Sequence, residues 1–460
     1  MSSSAIQGSA TSTPPPTRIR RVIAGSLVGT TVEWYDFFLY GVAASTVFGG
    51  VFFPKSDPLT ATLLSFLTYA LGFLARPLGG LVFGHFGDRL GRKRLLVLSL
   101  MMMGVATFAI GLLPSYGQIG VAAPLLLTGL RLIQGFALGG EWGGAVLMVS
   151  EHGSPRHRGF WASWPQAGAP AGQLIANGIL ALLATFQNDA DFNAWGWRIP
   201  FLLSAVLVLS GLWIRLRVEE SPLFQQAQQQ AAIRAETAPI EKLPVLQVFR
   251  QYPREILTSM GARIAENTAY YIFTIVIATY AKDQLHMPKS FALDAVMIGA
   301  AVHLVTIPLW GALSDRVGRR PLYLFGALGV GCWAFAFIAL LNTKNLALAA
   351  IAVVVGLLFH GAMYGPQAAF FAEMFGTRVR YSGVSIGYQL SSILAGAIAP
   401  LIAVALLRHY HSGFPIAVYV SICAAISLIA VLSYRETKDR DLATIGNAGA
   451  DVAAHSDALV

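Results

Sequence analysis

The sequence predicts an all-α membrane protein with twelve transmembrane helices in two pseudo-symmetric six-helix bundles. Three observations lead there. Apolar residues make up 55% of the chain and charged ones only 12%, with mean hydropathy +0.61. A soluble globular chain carries roughly 25% charged residues. Apolar runs of about 20 residues, the length that spans a bilayer, follow one another along nearly the whole chain. Finally, a charged, glycine-rich stretch between two of those runs returns: Gly84, Asp88, Arg89, Gly91 and Arg92 recur as Gly311, Asp315, Arg316, Gly318 and Arg319, always 227 residues later. A repeat that long in an apolar chain means two similar helical bundles.

Residues 1–21 are rich in Ser, Thr and Pro and end in Arg18, Arg20 and Arg21. They cannot bury a core and read as a disordered tail. The apolar run that follows is too long for a signal peptide and carries Glu33 and Asp36, so no cleavage is expected. The spans fall at 22–49, 59–83, 94–113, 119–149, 159–187 and 198–217 in the first bundle, 22–217. A polar stretch, 218–253, contains a glutamine run and Ser221-Pro222, the form of a helix N-cap followed by proline. It reads as a linker with short surface helices. The second bundle, 254–434, has spans at 254–281, 291–313, 321–341, 346–372, 382–408 and 414–434, and 435–460 reads as a second disordered tail.

Charge sets the expected orientation. With twelve spans, 23 of the 32 Lys and Arg residues lie on the side of the N-terminus, six on the opposite side and three within spans. Positive charge stays inside, so both termini are expected in the cytoplasm. That asymmetry accounts for the net charge of +9 without a nucleic-acid partner. Cys332 and Cys423 lie inside apolar runs and read as packing residues.

Within the repeated stretch, glycines permit close helix ends and the turn between them. Asp88 and Asp315 can sit against a neighbouring helix N-terminus, where the macrodipole favours an anion. A second echo supports the pairing of halves: Glu151, Arg156, Arg158 and Ser163 recur as Glu373, Arg378, Arg380 and Ser385, 222 residues later. Gly84, Asp88, Arg89, Gly91, Arg92 and Glu151, with Asp315, Arg316, Gly318, Arg319, Glu373 and Arg380, form the expected conformational gate.

Some residues do not belong in a bilayer. An ionisable group at its centre costs at least about 2.5 kcal/mol and normally pairs or faces a wet cavity. Glu33 and Asp36 share a face of span 1, where two anions repel and one is expected to take a proton. Arg76 lies in span 2, Arg131, Gln134 and Glu141 in span 4, and Arg263, Glu266, Asn267 and Tyr270 make a polar stripe on span 7. Two readings stay open: structural ion pairs such as Arg263 with Glu266, or one central cavity with arginines for an anion and carboxylates for protons. His303 and His360 read as packing residues. Tyr35, Trp164, Tyr270 and Tyr388 are candidate cavity aromatics, and Pro165 and Pro170 should kink span 5.

The repeated stretch is the G-x-x-x-D-R-x-G-R-R/K signature of the major facilitator superfamily, and the chain resembles that superfamily. Within it, Glu33-Trp34-Tyr35-Asp36-Phe37, Arg76-Pro77-Leu78-Gly79-Gly80, Arg131-Leu132-Ile133-Gln134-Gly135 and Gly139-Gly140-Glu141-Trp142 are similar to the metabolite:H+ symporter family. So are Trp195-Gly196-Trp197-Arg198, Glu220-Ser221-Pro222 and the segment 373–383. The shikimate-like branch is the most similar. The resemblance implies a major facilitator fold in a bacterial inner membrane and transport by alternating access, without cofactor or metal, the proton gradient supplying energy. The expected partners are a small carboxylate, protons and lipid, with one chain acting as a monomer.

On that reading Glu33, Asp36, Glu141 and Glu266 are candidates for carrying protons. Tyr35, Arg76, Arg131, Gln134, Trp164, Arg263, Asn267, Tyr270 and Tyr388 are candidates for holding substrate. The alternatives are uptake of a zwitterionic osmolyte such as proline or betaine, and export. The proline/betaine branch is expected to carry a long heptad-patterned C-terminal extension, which the segment 441–460 lacks. An enzyme is disfavoured: the metal-ligand spacing H-E-x-x-H does not occur.

Overall fold

The computed structural model describes residues 16–56, 58–90, 92–216, 244–376, 380–440 and 442. In chain order the long helices are α1 (Pro16–Thr46), α2 (Pro58–Leu90), α3 (Arg92–Leu112), α4 (Ala122–Gly139, continuing as Glu141–His152), α5 (Arg158–Phe186) and α6 (Arg198–Leu216). The second half has α7 (Pro253–Tyr271 and onward), α8 (Lys289–Val317), α9 (Arg319–Asn342), α10 (Leu346–Ala372), α11 (Arg380–Ser391, continuing to Tyr410) and α12 (Phe414–Leu432). A short helix, Pro244–Gln251, precedes α7. Residues 218–243 of the expected linker lie outside the described residues.

The twelve helices fall where apolar length placed the twelve spans. Among the described residues, nine segments are long and apolar enough to cross a membrane. The other three helices are α1, α5 and α7. Each carries buried polar groups that lower its hydropathy: Glu33 and Asp36; Gln166, Gln173 and Asn177; Arg263, Glu266 and Asn267. Their polarity faces protein, not lipid. Conversely, α4 and α6 put Leu125, Leu126, Val206 and Leu209 outward, each at least half exposed, as a lipid-facing surface requires.

Two boundaries differ from expectation. Helix α1 starts at Pro16, inside the stretch read as a disordered tail. Proline suits a first helical position, because it has no N–H to leave unsatisfied. The expected C-terminal tail also begins ordered. Glu436 accepts hydrogen bonds from the Arg319 and Arg320 N–H groups that open α9.

Two features set the helix arrangement. Between α8 and α9, Gly318 has φ +111°, a left-handed conformation that glycine tolerates. Helices α2 and α4 meet backbone to backbone: a Cβ at Gly135 would collide with the carbonyl oxygen of Gly72, and one at Gly79 with that of Phe136. The halves meet along two seams, α5 against α8 and α2 against α11. These seams are images of each other under the sequence repeat, since α8 corresponds to α2 and α11 to α5.

Helices α7 and α11 each contain a wider π turn, Ile272–Val276 and Ser392–Ala397. Such turns free backbone groups and frequently mark functional positions.

Candidate functional site

In the first half, α2 and α4 bring Arg76 and Arg131 against α1. Arg131 lies under a box of rings: its guanidinium carbon is 4.3 Å from the Tyr40 centroid, 4.8 Å from Tyr69 and 5.5 Å from Phe37. Arg76 lies 4.1 Å over Phe73 and 5.0 Å over Phe37. Rings of this kind hold a desolvated cation by their negative faces.

Arg131 then connects to Asp36 through neutral groups. Its Nη1 donates to Gln134 Oε1 at 3.1 Å. Gln134 Nε2 donates to Thr107 Oγ1 at 2.6 Å. Thr107 Oγ1 donates to Asp36 Oδ2 at 2.8 Å. All four side chains are buried. Neither Arg131 Nε, Arg76 Nε nor Asp36 Oδ1 makes a hydrogen bond among the described residues. Glu33 and Glu141 are also buried.

The second half is built differently. Arg263 Nε lies 3.3 Å from Glu266 Oε2, one turn along α7. Its Nη1 donates to the Tyr388 carbonyl at 2.8 Å and to the Ser391 and Ser392 hydroxyls, where the π turn of α11 begins. The guanidinium lies 3.2 Å over the Tyr388 ring, whose other neighbour is Trp142, stacked at 3.7 Å. The structural ion pair anticipated for Arg263 and Glu266 is therefore present. Glu266 also bonds His360 and Gln367, each at 3.1 Å.

The halves join in this layer. Tyr270 Oη donates to Gln173 Oε1 at 3.4 Å, and its ring lies 5.9 Å from Trp34. Asn267 is buried beside the π turn, against Gly396. Gln389 donates to the Gly139 carbonyl at 3.1 Å and Tyr381 to the Gly140 carbonyl at 2.6 Å.

Two candidate substrate residues stand elsewhere. Tyr35 Oη donates to the Pro200 carbonyl at 2.6 Å, so its hydroxyl is spent on α6, away from the seam between the halves. Neighbouring positions on a helix point about 100° apart, and Asp36 takes the inward direction. Trp164 packs against Phe160 at the start of α5, near the repeated hairpins. It belongs to that end, not to the central layer.

The hairpin end is a closed ionic network. Asp315 accepts hydrogen bonds from the Gly159 and Phe160 N–H groups at 2.8 and 2.9 Å. It caps the N-terminus of α5, the placement that the macrodipole argument anticipates. Arg319 bridges Asp315 at 2.7 Å and Glu373 at 3.3 Å. Arg158 reaches across from α5 to Glu373 at 2.9 Å. Thr437 donates to Glu373 at 2.7 Å. Arg380 donates to the Phe375 and Leu442 carbonyls. Arg316 is exposed and offers its carbonyl to Lys438. In the first copy, Gly84, Asp88 and Arg89 lie in α2, Arg92 opens α3 and Glu151 lies in α4; their side chains and all of Gly91 lie outside the described residues.

Sequence reasoning missed Thr107, Gln367, Thr437 and Glu436, and gave the two histidines a packing role. Threonine, glutamine and glutamate near spans carry no distinguishing local signal. The histidines did carry one, since each is an ionisable group within an apolar run.

Comparison with known proteins decides the family. The family model described as sugar (and other) transporter matches residues 22–448. The chain belongs to the major facilitator superfamily. Among similar relatives of this facilitator, the shikimate transporter of Escherichia coli is 40% identical, with 92% of this chain and 95% of that protein covered. The inner membrane metabolite transport protein YhjE of E. coli is also 40% identical, over the same shares. The proline/betaine transporter of E. coli is 34% identical over 96% of this chain and 89% of its own length. Among solved structures, the proton:xylose symporter XylE bound to 6-bromo-6-deoxy-D-glucose superimposes with a TM-score of 0.74. It is 18% identical and covers 93% of this chain and 98% of its own, so the likeness concerns the twelve-helix fold. This facilitator is a multi-pass membrane transporter and not an enzyme.

Proposed function

We propose that this facilitator is a proton-coupled symporter. It imports a small organic acid anion, shikimate or a related carboxylate, across a bacterial inner membrane. Both termini face the cytoplasm, one chain forms the pathway, and the closed hairpin end is the cytoplasmic side. The observation that carries the reading is Arg131. It is a buried cation whose Nε makes no hydrogen bond among the described residues, set under three rings and joined to Asp36 through Gln134 and Thr107. A planar guanidinium so placed can grip a carboxylate by two parallel hydrogen bonds. Arg76, with its own unbonded Nε, supplies a second positive charge on the same side. Asp36 carries the proton, with Glu33 as partner and Glu141 nearby in α4. An anion at Arg131 favours a protonated Asp36, because two negative charges there repel.

The zwitterionic alternative has one support, the relatives named for proline and betaine. It would need free aromatic faces for the cationic end. Here arginines already occupy the faces of Phe73, Tyr40, Tyr69 and Tyr388. The deciding experiment is uptake into vesicles of shikimate, protocatechuate, 2-oxoglutarate, citrate and proline, with and without an inward pH gradient. A carboxylate accumulated only with the gradient is the expected result. Accumulation of proline alone overturns the substrate class, and accumulation without any gradient overturns the coupling.

A further inference from the structure

The second half holds a titratable chain that the proposed transport cycle does not use. Glu266 Oε1 lies 3.1 Å from His360 Nε2, and His360 Nδ1 lies 3.1 Å from His303 Nε2. The three residues come from α7, α10 and α8, and all are buried. The far atom of the chain, His303 Nδ1, is buried and makes no hydrogen bond among the described residues.

Hydrogen-bond roles fix the protons along it. A carboxylate only accepts, so His360 Nε2 carries a proton. Neutral His360 then offers a lone pair at Nδ1, and His303 Nε2 must donate. That leaves a lone pair at His303 Nδ1. The arrangement is ordered from end to end, with an open acceptor at one end and a carboxylate at the other.

We propose that His303, His360 and Glu266 form a second protonation site, one that releases Arg263 for the anionic substrate. A proton binds His303 Nδ1. The proton on His303 Nε2 passes to His360 Nδ1, and that on His360 Nε2 passes to Glu266 Oε1. One proton has entered, both imidazoles are neutral with their tautomers reversed, and Glu266 is uncharged. Its ion contact with Arg263 Nε is then lost, while Arg263 Nη1 stays tied to the π turn of α11. The freed charge lies over the Tyr388 ring, which stacks on Trp142 of the first half. Reversal of the same transfers returns the proton and restores the pair.

The other titratable groups around the chain are phenols. Tyr270 stacks on His360 at 4.7 Å, and Tyr364 lies 5.2 Å from it. Tyr323 of α9 shares Gln367 with Glu266, and Tyr388 of α11 lies under Arg263. Tyr271 follows Tyr270 on α7. Arg263 is thus the cation in contact with the carboxylate, which makes it the group the proton controls.

This inference rests on the transport reading for its purpose but not for its test. Infrared difference spectra between alkaline and acidic samples of the full-length chain in proteoliposomes read protonated carboxyl groups directly. The wild type should show a carboxyl C=O band that Glu266→Gln lacks and Asp36→Asn retains. The same bands in wild type and Glu266→Gln overturn the proposal. In the same vesicles with shikimate as probe, His303→Asn should slow uptake driven by a pH gradient about 10- to 100-fold, with counterflow at equal pH within about twofold of wild type. A merely structural histidine would lower both rates together. Should His303→Asn fail to assemble, His303→Gln is measured instead, and wild-type gradient uptake in the assembled variant overturns the relay. If the wild type carries no shikimate, the substrate reading fails and the infrared result alone decides the relay.

Discussion

At the scale of single residues, Arg131 and Asp36 divide the work. Asp36→Asn mimics the protonated carboxyl. It should keep counterflow of shikimate yet lose accumulation driven by a pH gradient, measured in the same vesicles. Concentrative uptake by that variant would remove Asp36 from the coupling step. Arg131→Lys should weaken shikimate binding by about tenfold or more, because an ammonium cannot replace the planar fork; equilibrium binding on purified protein reads this. Thr107→Val tests the link between them. Valine fills the space of threonine but cannot pass a hydrogen bond from Gln134 to Asp36. Coupling should drop severalfold with counterflow largely kept. Equal loss of both would assign Thr107 a packing role.

At the scale of elements, two contacts hold the frame. The close approach of α2 and α4 leaves no room at Gly135, so Gly135→Ala must push the backbones apart. A cost of about 1–3 kcal/mol is expected, read as a lower thermal midpoint in detergent; an unchanged midpoint would show that the helices part without cost. The other contact is Glu436 at the start of α9. Burial alone would raise its pKa. The backbone N–H groups of Lys438, Arg319, Arg320 and Thr437 outweigh that and hold it below the ordinary glutamate range. A depressed carboxyl pKa stabilises the fold above the unfolded-state value, and the contribution fades as pH falls through the folded-state value. The thermal midpoint should therefore drop on acidification below the ordinary glutamate range, and drop less in Glu436→Gln. Parallel curves for the two proteins would deny Glu436 that role.

At the scale of the whole molecule, the hairpin end is shut. Asp315 caps α5 across the seam, and Arg158 from one half meets Glu373 from the other. Opening this end must break both. Asp315→Asn should then slow interconversion of the two access states while shikimate binding is kept. Loss of equilibrium binding with normal cycling would contradict the gate. Orientation has its own test. In a background lacking Cys332 and Cys423, a cysteine at Asn188 should react with an impermeant thiol reagent added outside intact cells. One at Gln228, which lies outside the described residues, should react only from the cytoplasmic side. The reverse pattern inverts the proposed topology.

The sequence by itself determined the twelve spans, the two-fold repeat and which spans carry buried charge. Each of these is written locally: apolar length must match the bilayer, and an ionisable residue inside such a run stands out against its neighbours. Even Asp315 at a helix N-terminus followed from its hairpin spacing. The tertiary structure alone decided who meets whom. Thr107 joins Asp36 to Gln134 because α3 packs beside α1 and α4, and nothing in α3 announces that a threonine faces inward. Tyr35 turns to Pro200, Trp164 stays at the hairpin end, and Glu266 gathers Arg263, His360 and Gln367 from two helices. Such pairings depend on the rotation of each helix about its own axis. That rotation is set by backbone contacts such as Gly135 on Gly72, between residues 63 positions apart, and no single stretch of sequence contains both sides of the contact.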